Sequence, residues 1–117
     1  MSGKQRYYLG IDDLSRARGT EPSLTFDGDS PEAFAAALQA ALRTPALFER
    51  WRALQPDPDD VPAALGATDA TATVTAKAAA DLRADVQATT SLPHAILRHR
   101  LNLLAGAHWT LRDVRSA

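Results

Sequence analysis

The chain has 117 residues, a formal net charge of −1, no cysteine, 45 % hydrophobic and 23 % charged residues. That length makes one domain, 1–117, the expectation, and the balance of apolar and charged residues excludes a disordered chain. The absence of cysteine excludes disulfides, thiolate metal ligands and cysteine nucleophiles.

The N-terminus Met1-Ser2-Gly3-Lys4-Gln5-Arg6 is polar, and no apolar run approaches the ~20 residues of a membrane span. A cytoplasmic protein with no membrane partner is the expectation. The 24 alanines would suit a GC-rich bacterial genome. They also leave the core to a few large side chains, so a stability below about 10 kcal/mol is expected. Charge is mildly polarised: residues 1–60 carry −3 and residues 61–117 carry +2.

Arg6-Tyr7-Tyr8-Leu9-Gly10-Ile11 alternates with Tyr7, Leu9 and Ile11 on one face, the pattern of a half-buried strand. Residues 12–22 read as a loop. Residues 23–27 alternate again, with Leu24 and Phe26 inward, which predicts a second strand paired with the first. Asp29-Ser30-Pro31-Glu32 is a helix start, with Ser30 or Asp29 as the cap. Phe34, Ala37, Leu38, Ala41 and Leu42 then form one apolar stripe. Thr44-Pro45 ends that helix and starts another, carrying Leu47, Phe48, Trp51 and Leu54. The Pro- and Asp-rich stretch 55–66 is a linker within the domain, with room for a helical turn at 61–65.

Residues 72–88 keep an unbroken period of two. That predicts a hairpin with its turn near Ala78–Ala80 and Lys77 facing Asp81; a helix over 76–86 is the competing reading. Ser91 and Pro93 open a helix through Ile96, Leu97, Leu101, Leu103 and Leu104 that stops at Gly106. Residues 107–115 read as a last strand, with Trp109 and Leu111 on one face. The expected fold is α+β: a mostly antiparallel sheet of four to five strands, helices packed on one face, order ββααββαβ.

Chemistry-bearing motifs are sparse. His94 and His99 are five apart on a helix, which is not a metal-pair spacing, and no third ligand is close in sequence; both read as surface histidines, and no metal or cofactor is expected. The pairs Asp12-Asp13, Asp27 with Asp29, and Asp57 with Asp59-Asp60 match no calcium loop. No Gly-x-Ser-x-Gly elbow or phosphate-cradling glycine loop occurs. The strongest candidate surface is C-terminal: Arg98, Arg100, Trp109, Arg112 and Arg115, residue types enriched at interfaces and able to contact phosphates and stack bases.

The sequence therefore points first to a non-catalytic protein-interaction module, self-associating through a sheet edge or through this Arg/Trp surface. A weak nucleic-acid binder using the same basic residues is the second expectation. A small enzyme with a site at Asp12, Asp13 and a histidine is the third.

Overall fold

A computed structural model describes residues 3–80 and 82–117. The chain runs β1 (Gln5–Ile11), α1 (Pro31–Arg43), α2 (Ala46–Ala53), β2 (Thr73–Ala78), β3 (Ala84–Thr90), α3 (His94–Ala105) and β4 (Thr110–Ser116), with short 3₁₀ turns at Leu14–Arg16, Pro58–Asp60 and Ala63–Gly66. The sheet has four strands in the order β2-β3-β1-β4, and each neighbouring pair is antiparallel. β1 and β2 thus run parallel with β3 between them, and β3 and β4 run parallel with β1 between them. Two interleaved βαβ units of this kind make the split βαβ, or ferredoxin-like, topology. The fold is α+β, as the periodicities predict.

The pleat sorts residues onto two faces. Tyr7, Leu9 and Ile11 of β1 and Ala84, Val86 and Ala88 of β3 are buried, and they join Phe34, Leu38 and Leu42 of α1 and Leu97, Leu101 and Leu104 of α3 in one apolar cluster. The opposite face carries Arg6 and Tyr8 of β1, Asp85, Gln87 and Thr89 of β3, and Asp113 and Arg115 of β4; none of these is buried.

The hairpin forms as the alternation requires, with a longer loop. Ala78 pairs with Ala84, so residues 79–83 make the connection, and Lys77 faces Asp85. The expected Lys77–Asp81 pairing is therefore displaced by four residues; Asp81 itself lies outside the described residues. Both registers keep even-numbered residues on the inner face, which is why periodicity alone did not choose between them.

The predicted strand at 23–27 does not form, and the sheet has four strands. Leu24 and Phe26 are buried all the same. Their backbone finds other partners: the Leu24 N–H donates to Glu21 O in a local turn, and the Phe26 N–H donates to Leu104 O at the end of α3 at 3.0 Å, where Thr25 Oγ1 also lies 3.0 Å from the same oxygen. Alternation marked the buried side chains correctly but did not identify the partner. The caps also differ in part. Ser30 Oγ accepts from Ala33 N–H and caps α1, with Pro31 in its first turn. Thr44 donates back to Ala40 O and does not cap α2. Ser91 does not cap α3; its backbone N–H instead donates to Asp69 Oδ2 at 2.9 Å.

Gly106 closes α3 at φ +61°, and a Cβ there would lie 2.6 Å from Arg18 O. Both the backbone angle and the close approach of the 18–19 loop require glycine.

Candidate interaction surface

The five candidate residues do not form one surface. Arg98 and Trp109 line an open groove of about 710 Å³ between α3 and β4, together with His94, Asn102 and Leu111. His94, Arg98 and Asn102 recur every four residues, so they share one side of α3. Trp109 is held against that side by its Nε1–H, which donates to Asn102 Oδ1 at 3.0 Å.

Arg112 and Arg115 lie on the uncovered sheet face. The register shifts between Tyr8 and Leu9, which leaves Arg112 as the extra residue of a bulge. Its guanidinium lies over Gly10, where a Cβ would sit 2.6 Å from it, and Nη1 donates to Asp85 Oδ1 at 3.0 Å. Arg115 stacks over the Tyr8 ring at 5.6 Å and donates to Asp113 Oδ2 at 2.8 Å. The Asp113 carboxyl is held below the usual carboxylate range, first by this Arg115 bond and then by the Val114 N–H.

Arg100 is buried and takes no part in either surface. Nε donates to Ala41 O at 3.3 Å, Nη1 to Leu65 O at 2.8 Å and Nη2 to Ala67 O at 3.0 Å. Ala41 belongs to the last turn of α1, whose carbonyls lack helical partners and form the negative end of the helix dipole. Burial pulls the Arg100 pKa below its ordinary value. The apolar stripe held the clue: Leu97, Arg100, Leu101 and Leu104 are spaced i, i+3, i+4, i+7, so position 100 is a core position of α3.

The histidines separate as well. The His94 ring stacks on Tyr7 at 6.1 Å. His99 is not a surface residue: it is half-buried and packs edge-on against Trp51, with ring centroids 4.4 Å apart. Burial, and then the neighbouring Arg100 charge, lower its pKa. His108 reaches a small cavity with Asp12, Asp13 and Arg16. Asp13 is already engaged there, accepting from Ser15 Oγ and N–H, and its carboxyl is held low chiefly by the Ser15 hydroxyl. A carboxylate held this way is a poor general base. Among the described residues no three metal-ligating side chains come together.

No family model, curated protein or solved structure matches this chain.

The sheet edges are unlike each other. On β2, Gln39 Oε1 accepts the Val74 N–H at 3.0 Å and Arg43 Nε donates to Ala72 O just before the strand, so side chains of α1 cover the first part of this edge. Lys77 adds an exposed charge, a common device against edge pairing. On β4, the only such bond among the described residues comes from within the strand, where Asp113 Oδ1 accepts the Val114 N–H at 2.9 Å. The inner side of β4 is also under-covered. Val114 lies opposite Tyr7 yet is 37 % exposed, and Leu111 and Trp109 are half-buried.

Proposed function

We propose that the protein is a non-catalytic interaction module that self-associates along the β4 side of its sheet. One observation carries this reading: side chains of α1 cover the start of β2 and Lys77 guards its exposed end, whereas β4 is left open with Val114, Leu111 and Trp109 half-exposed beside it. An unpaired strand edge offers N–H and C=O groups to another strand, and apolar side chains on the same edge supply the burial that makes pairing favourable.

The nucleic-acid reading draws less support. Of its five residues Arg100 is buried, and Arg112 and Arg115 are bonded to carboxylates. Tyr8 is the sheet's aromatic side chain on the uncovered face, where base-stacking sheets present two or three. The enzyme reading rests on Asp13, whose carboxylate is occupied by Ser15.

The test is the solution mass by light scattering after size exclusion, at low and high salt. A dimer that survives high salt is expected, because apolar contact and backbone pairing are little screened. A monomer at both salts would overturn self-association.

A further inference from the structure

The chemistry of β4 goes further, to the partner and the register. We infer that the occupant of the β4 edge is the β4 of a second copy, antiparallel to the first about a two-fold axis through Val114. This rests on the reading of β4 as the self-association edge and adds which residues meet.

Backbone direction comes first. Ala117 N–H donates to Lys4 O, across from the Gln5–Ser116 pair. In an antiparallel ladder bonded and non-bonded pairs alternate, so residues 115 and 113 turn their backbone groups toward β1, and Val114 and Ser116 turn theirs outward. The Val114 N–H, which bonds to the Asp113 side chain and not to β1, agrees. A second strand therefore meets Val114 as a bonded pair.

Side-chain charge then selects the register. Directly opposed residues must share a face, so a two-fold axis normal to the sheet passes through a residue. Centred on Val114, the axis puts Val114 against its own copy on the inner face. On the outer face it puts Asp113 opposite Arg115 of the other copy, twice. Centred on Asp113 or on Arg115, it would set two like charges directly opposite each other, which destabilises a strand pair. Within one chain Asp113 accepts from Val114 N–H and from Arg115. Association exchanges these local bonds for equivalent ones across the axis, and it buries the exposed Val114.

Two variants of the cysteine-free chain test the geometry. Opposed Cα atoms of a bonded antiparallel pair are about 5.5 Å apart, inside the disulfide range, whereas the two copies of position 115 would be more than about 7 Å apart. Val114→Cys is expected to form a disulfide-linked dimer under mild oxidation, and Arg115→Cys is not. Charge exchange tests the pairing without depending on the fold of any one variant. Asp113→Arg alone and Arg115→Asp alone are each expected to self-associate about tenfold or more weakly than the native chain. Mixed one to one, they are expected to form a heterodimer, since each then supplies the charge the other lacks. A dimeric native chain whose Val114→Cys form does not cross-link, or whose two charge variants fail to combine, would overturn the register while leaving self-association standing. A monomeric native chain would remove both.

Discussion

Arg100 brings a guanidinium into the core, where it binds three carbonyls and lies over the Phe48 ring at 5.4 Å. It joins the end of α1, the 63–67 turn and α3 at one point. Arg100→Met keeps the stem and removes the donors, leaving buried carbonyls unpaired at roughly 1–3 kcal/mol each before relaxation. A loss of about 3 kcal/mol is expected in a denaturant melt; a loss below about 1 kcal/mol would show that water replaces the guanidinium.

Asp69 is the second such point. Its carboxylate accepts from Thr71 N–H and Oγ1, Thr90 Oγ1, Ser91 N–H and Lys4 Nζ, tying the start of β1 to the end of β3. Burial pushes its pKa up, but the Ser91 and Thr71 backbone bonds and the two threonine hydroxyls outweigh that and hold the carboxyl well below the usual range. The folded state therefore binds its proton more weakly than the unfolded chain, whose Asp titrates near ~3.9. The stabilisation is whole above about pH 5 and is lost progressively as pH falls through and below the unfolded value. The expected result is a native chain whose unfolding free energy drops across this window, with Asp69→Asn less stable at neutral pH and shallower in its acid slope. Equal slopes would contradict the role. Arg100 is expected at the surface from its charge, and only its place in the Leu97–Leu104 stripe marks it as core. Asp69 carries no sequence signal, because a single Asp shows no periodicity of its own and its partners, up to 65 residues away for Lys4, are brought together only by the fold.

At the scale of elements, periodicity located nearly every segment. Its failures lie where a backbone finds a partner that alternation does not encode. Residues 23–27 alternate because one side meets the core, but the Leu24 and Thr25 N–H groups turn back to Glu21 O and the Phe26 N–H goes to Leu104 O at the end of α3. Ser91 precedes Pro93 as a cap would, but its N–H is taken by Asp69. The hairpin loop is longer than the expected Ala78–Ala80 turn, and no Gly, Asn or Pro at those positions marks where the turn falls. The candidate site was legible in part. Arg98 and Trp109 meet in the groove as their shared C-terminal placement suggested. Arg112 falls on the other side of the sheet by alternation from Trp109 and Leu111, and the bulge at Arg112 carries Arg115 to that side as well; a bulge leaves no mark in residue type at this position.

At the scale of the molecule, two interleaved βαβ units leave one sheet face bare and two strands at the edges. The helical layer does not cover the edges equally. α1 lies against β2 and reaches its rim with Gln39 and Arg43, whereas the α3 side facing β4 presents His94, Arg98 and Asn102 across an open groove. The protein thus has one edge covered by α1 at Ala72 and Val74, its other end guarded by the Lys77 charge, and one edge without helical cover, so the two edges offer unequal pairing surfaces. Composition carried none of this, because the difference between β2 and β4 lies in which strand each helix overlies.

The most direct test follows the backbone amides of both edges by hydrogen exchange at low and high protein concentration. The outward N–H groups of Val114 and Ser116 should slow as concentration rises, while Val74, held by Gln39 on the β2 edge, stays unchanged. Concentration-independent exchange along β4, or slowing at β2 instead, would contradict the account.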